Sequence, residues 1–80
     1  MNTLKSLQSK VMFVIRRANH GGFKQISPLL ALSWINKIVP VGKVFTEKQA
    51  CRAFYLLGKK GLIRKVRQGE ICSLDAWEIV

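Results

Sequence analysis

Acidic side chains are almost missing from this chain. Its 80 residues hold four Asp and Glu against fourteen Lys and Arg, a formal net charge of +10. The four acids are scattered, so no carboxylate pair is offered for acid–base work. Histidine is represented by His20 alone, inside a glycine turn, and no Ser or Cys has a base at recognisable spacing. The two cysteines, Cys51 and Cys72, form no CxxC or CxxH pattern, which argues against a metal site. Glycine-rich phosphate or dinucleotide loops are lacking too, since Gly21-Gly22 and Gly42 stand as turn glycines. These absences point away from an enzyme, a cofactor and a metal. No apolar run approaches the ~18 residues that span a bilayer. The longest near the N-terminus, Val11 to Ile15, is too short for a secretory signal and runs into Arg16-Arg17. An acid-free N-terminus also suits an organellar transit peptide, but this one carries the periodicity of a helix the fold needs.

What the chain does have is apolar material and positive charge. Hydrophobic residues make up 49%, ordinary for a folded domain and too many for a disordered basic tail. The length fits one small domain, residues 1–80, with a core small enough that a dimer or ligand would help it. Charge is unevenly spread. Residues 1–42 hold six bases and no acid, residues 43–67 hold eight bases against Glu47, and residues 68–80 hold Glu70, Asp75 and Glu78 without a base. Such an excess calls for a polyanionic partner: nucleic acid first, then an acidic protein patch or an anionic membrane.

Hydrophobic periodicity predicts three helices. The first spans residues 3–18, with Leu4, Leu7, Val11, Val14, Ile15 and Ala18 on one face, Thr3 as cap and Asn19 to Gly22 as stop. Phe13 falls opposite that face. It either folds under a neighbouring segment, the reading we favour, or stands exposed as a dimer or partner contact. The second helix opens at Ser27-Pro28 and runs to Ile38, apolar nearly all round, which predicts a central buried helix with Trp34 in the core. Pro40-Val41-Gly42 breaks it, and Lys43 to Phe45 reads as a short strand or an extended lead-in. The third helix begins at a capping box, Thr46-Glu47-Lys48-Gln49, and stops near Lys59-Lys60-Gly61. Leu62 to Arg67 then reads as a strand, Gln68-Gly69 as a tight turn, and Glu70 to Leu74, or on to Val80, as the return strand. Trp77, Ile79 and Val80 should pin the C-terminus to the core. Cys51 and Cys72 could bridge in an oxidising compartment; two buried free thiols are the favoured reading.

The third helix and the hairpin carry the functional signal. At about 100° per residue, Lys48, Arg52, Tyr55 and Lys59 fall within about 60° of one another. Ala50, Ala53, Phe54 and Leu57 line the other side. A cationic, donor-rich stripe backed by an apolar one suits a helix in the major groove of duplex DNA. Lys48 and Arg52 lie towards the N-terminal half, where base edges are met; Arg52 has the fork that guanine accepts. Gln49 could pair with adenine, although its capping duty is favoured. Tyr55 and Lys59 face backbone phosphate, with Lys60 at the helix end. Arg64, Lys65, Arg67 and Gln68 ring the hairpin, either laid on neighbouring phosphates or serving as a solubilising edge.

With these residues in view, the stretch TEKQACRAFYLLGKKGLIRKVRQGE resembles the recognition helix and wing of winged helix-turn-helix proteins. Its signature is LLGKKGLIRKV, an apolar pair, basic residues and glycine before Leu-Ile opens the wing strand. Within that superfamily it is similar to small stand-alone regulators of fimbrial operons, which share the Gln-Ala-x-Arg…Tyr-Leu-Leu run matched here by Gln49, Ala50, Arg52, Tyr55, Leu56 and Leu57. The resemblance covers about a third of the chain. It implies an α+β fold, a small winged helix of three helices with a C-terminal β-hairpin wing. It places Lys48, Arg52 and Tyr55 towards the groove and Arg64 to Gln68 on the wing. A weaker likeness, through SKVMFVIRRAN and KKGLIRKV, is to the N-terminal domain of phage middle-promoter activators, where the comparable domain touches RNA polymerase. One departure stands out. A tight helix-turn-helix uses about three or four linking residues, whereas Pro40 to Phe45 intervene here. The alternative is that the second helix is the scaffold's first, Val44-Phe45 its first short strand, and one helix is missing or altered.

The function expected is that of a sequence-specific double-stranded DNA-binding transcription regulator of an operon or mobile element, cytoplasmic and nucleoid-associated. Homodimerisation or cooperative binding is expected with it, because one small domain reads few base pairs. The alternatives are an adaptor for an acidic protein surface such as RNA polymerase, or an RNA-binding protein. No membrane partner is expected.

Overall fold

The computed structural model describes residues 3–39, 42 and 44–80, with side chains from Ser6 onward. Three helices, α1 (Thr3–His20), α2 (Pro28–Ile38) and α3 (Glu47–Lys59), precede an antiparallel pair, β1 (Ile63–Arg67) and β2 (Ala76–Ile79). Each helix packs on the other two, and the hairpin packs on α3 through β1 and on α1 through β2. The arrangement is α+β and winged-helix-like.

The helices form where the sequence places them. On α1, Leu7, Val11, Val14, Ile15 and Ala18 are buried, joined by Met12. The side chains of Leu4 and of the expected cap Thr3 lie outside the described residues. The helix runs two residues past Ala18 and stops as the glycine pair requires: the Phe23 amide donates to Ala18 O at 2.8 Å, and Gly22 adopts φ 100°. Ser27 caps α2, its hydroxyl accepting from the Leu30 amide, with Pro28 in the first turn. Both halves of the capping box form at α3. The Gln49 amide donates to Thr46 Oγ1 at 3.2 Å, and Gln49 Oε1 accepts from the Thr46 amide at 2.8 Å.

The wing departs from the expected geometry. Gln68-Gly69 is not a tight turn. An eight-residue connection, residues 68–75, links the strands and includes a short 3-10 helix, Cys72–Leu74. The cause is Asp75, a buried carboxylate whose Oδ1 accepts from the Gly69 amide at 2.7 Å and draws the connection inward. The ladder pairs Ile63 with Ile79, Arg64 with Glu78 and Lys65 with Trp77, then skips Val66 so that Arg67 faces Ala76. This one-residue bulge bends the strand towards its tip.

Trp77 ties the layers together. Its ring meets Phe54 edge-on at 5.9 Å, and its backbone exchanges hydrogen bonds of 2.8 and 2.9 Å with Ile26. Ile26 is therefore a third, single-residue strand position beside β2. Gly58 allows the approach: a Cβ there would stand 2.9 Å from Trp77 Cζ3. The expectation of a core-pinned C-terminus holds for Trp77, while Val80 is exposed.

Other expectations change. The reading in which α2 was the first helix and Val44-Phe45 the first strand is overturned, because α1 packs on both other helices and the strand position falls at Ile26. Val44 and Phe45 form no strand; Pro40, Val41 and Lys43 lie outside the described residues. Instead, Asn36 clamps the lead-in, its amide donating to Phe45 O at 3.0 Å and its oxygen accepting from the Phe45 amide at 2.9 Å. α2 is not buried all round: Pro28, Ala31, Leu32 and Ile35 are buried, Trp34 is half-buried against Phe23, and Leu29 and Ile38 are exposed. Two free thiols are also ruled out. Cys51 on α3 and Cys72 in the 3-10 helix form a disulfide across a Cα–Cα distance of 6.0 Å, within the ordinary span. Phe13 folds under nothing; it is 59% exposed because α1 presents that side to solvent.

Candidate nucleic-acid interface

The capping box fixes where α3 starts and the buried Ala50, Ala53, Phe54 and Leu57 fix its rotation. Their opposite face carries Lys48, Arg52, Tyr55 and Lys59, all exposed. Lys48 and Arg52 make no hydrogen bond or ion pair among the described residues, so both side chains remain available. Lys59 Nζ sits 5.4 Å from the Tyr55 ring centroid, a cation held over an aromatic face beside its own helix end. Gln49 is exposed, yet its carbonyl oxygen is occupied by the cap. Lys60 turns away from the stripe and donates to Gln8 Oε1 of α1 at 2.8 Å.

The wing residues divide into two groups. Arg64 Nε donates to Glu78 Oε1 at 2.7 Å, and Lys65 Nζ reaches Asp75 Oδ2 at 3.4 Å while lying 5.7 Å from the Trp77 ring centroid. Both cations are answered by acids of the following segment. Arg67 and Gln68, beyond the bulge, are exposed and make no such contact among the described residues. The free charge of the wing therefore concentrates towards its tip.

Between α3 and the wing lies an open cleft of about 390 Å³, lined by Tyr55, Gly58, Lys59, Ile63, Arg64, Lys65 and Trp77. A phenol and three cations edge an aromatic floor, but Arg64 and Lys65 are already paired with Glu78 and Asp75, so Lys59 is the cation of this cleft without an acid partner among the described residues. The sequence separates these residues by up to 22 positions, and Gly58 lets Trp77 close the distance.

Three contributors were not visible in the sequence. Ile26 positions Trp77 through backbone bonds that no side-chain pattern announces. Asp75 and Glu78 restrain Lys65 and Arg64; the ladder sets Glu78 opposite Arg64, and Asp75 meets Lys65 from the connection just before β2. The acids of the C-terminal segment and the bases of β1 did carry a signal, since opposite charges on the two arms of a hairpin often face each other.

No group of His, Cys, Asp and Glu suited to a metal occurs among the described residues. Nor is any described helix long and apolar enough to cross a membrane. No family model matches this chain, and no curated protein or solved structure matches it either.

Proposed function

We propose that this protein is a sequence-specific double-stranded DNA-binding transcription regulator, inserting α3 into the major groove and laying the wing on adjacent backbone. The observation that supports this reading is the exposed face of α3, where Lys48 and Arg52 carry no internal partner. A 13-residue helix is about 20 Å long, and the major groove is about 12 Å wide, enough to admit it. Arg52 reads a base edge, a guanine by preference, because its guanidinium can make two parallel bonds. Lys48 supports it near the helix start. Tyr55 and Lys59 hold phosphate at the cleft, and Arg67 and Gln68 reach the neighbouring backbone.

The test is selection of bound duplexes from a random pool, followed by affinity measurements on the selected site and its single-base variants. Arg52→Ala should cost about 1–3 kcal/mol on the selected site and flatten the preference at one base position. Equal loss on every sequence would remove the base-reading role. Binding of single-stranded RNA in preference to every duplex would overturn the DNA assignment.

A further inference from the structure

A second surface lies on the far side of α3. Phe13, Met12, Leu57 and Leu62 line a groove of about 460 Å³ between α1 and the turn into β1, with Arg16 and Lys60 on its edges. Phe13 and Leu62 are among the exposed large apolar residues of the molecule. On the helical wheel Leu57 lies roughly opposite the Lys48, Arg52, Tyr55 and Lys59 stripe. The groove can therefore be filled while that stripe is engaged.

From this geometry we infer that the groove docks an acidic amphipathic helix of another protein. Its size falls in the ~300–1,000 Å³ range of binding pockets, and its floor takes the apolar side chains that a helix presents at i, i+3 and i+4. The charge of the edges decides the occupant. None of Glu47, Glu70, Asp75 or Glu78 lines the groove. Lys60 is bonded only to a neutral glutamine, and Arg16 has no partner among the described residues. A second copy of this chain would bring a net charge of +10 against these cations, so self-docking is disfavoured. Glutamates flanking an apolar stripe would meet Arg16 and Lys60 directly, and their own apolar side chains would cover Phe13. The surface would join this domain to a partner whatever α3 binds.

The experiment is selection, on the intact protein, from a display library of amphipathic helical peptides about 16 residues long with randomised polar faces. Selected peptides are then measured by fluorescence anisotropy. We expect them to be rich in Asp and Glu flanking an apolar stripe. Binding should weaken about tenfold or more with Phe13→Ala and with Arg16→Glu, while the Lys48→Ala, Arg52→Ala double variant keeps it within about twofold. Both groove variants change exposed residues, and circular dichroism checks that they fold. Selected peptides without acidic enrichment, equal binding by the groove variants, or loss confined to the Lys48, Arg52 variant each overturn the proposal. So does failure of the library to enrich, or a dimer in sedimentation equilibrium that Phe13→Ala dissociates.

Discussion

Single side chains decide how the pieces of this small molecule are joined. Asn36 gives both of its amide functions to the backbone of Phe45. It thereby does for an irregular lead-in what a neighbouring strand does in a sheet. Replacing it by Ala leaves a partly buried N–H and C=O without partners, and such losses cost about 1–3 kcal/mol each way of counting. Asn36→Ala should lower the unfolding free energy by that amount, read in urea titrations as a lower midpoint at an unchanged m-value. Because Phe45 precedes the α3 cap, the variant should also loosen the start of α3. Gly58 works by omission instead. An Ala there would gain about 1 kcal/mol of helix propensity, yet its Cβ would meet the rigid indole of Trp77.

Whole elements show where pattern was enough. The capping box, the Ser27-Pro28 start and the Gly61 stop are local chemistry, and α2 and α3 begin where those residues say. The apolar face of α1 was equally legible, because burial repeats at helical spacing. Connections that depend on distant groups were not. Gln68-Gly69 has the composition of a tight turn, but Asp75 captures the Gly69 amide and holds a longer path open. Cys51 and Cys72 are 21 positions apart, a spacing without meaning until the wing returns past α3. The candidate site follows the same division: the α3 stripe is periodic and was readable, whereas the pairing of Arg64 with Glu78 of β2 and of Lys65 with Asp75 just before β2 required the folded hairpin. The bridge closes a loop for which chain-entropy reasoning gives about 3 kcal/mol of stabilisation. Reduction by dithiothreitol, or the Cys51→Ser, Cys72→Ser double variant, should destabilise the fold by about that much in urea titrations. An unchanged midpoint would remove the bridge from the stability of the wing.

Across the whole molecule, charge is organised into faces. The C-terminal acids do not sit apart from the bases, as their order in the chain suggests; Asp75 and Glu78 fold back and neutralise Lys65 and Arg64. The excess is left on the α3 stripe, at the wing tip and along α1. If duplex DNA is the partner, each phosphate contact contributes about 0.9 to the slope of log K against log salt. Arg67→Ala should flatten that slope by close to this amount. Lys65→Ala should flatten it clearly less, since its charge is already answered by Asp75. Equal changes in the two variants would mean that the wing pairs open on binding.

The hydrogen-bonded bridge between Ile26 and Trp77 also has a consequence in time. It joins residues 51 positions apart, so the helices can assemble only provisionally while the chain is being synthesised. Residue 26 waits for residue 77 to leave the ribosome before its backbone finds a partner, and the ring that fills the space beside Phe54 arrives with it. Non-local closure of this kind slows folding relative to a simple helical bundle.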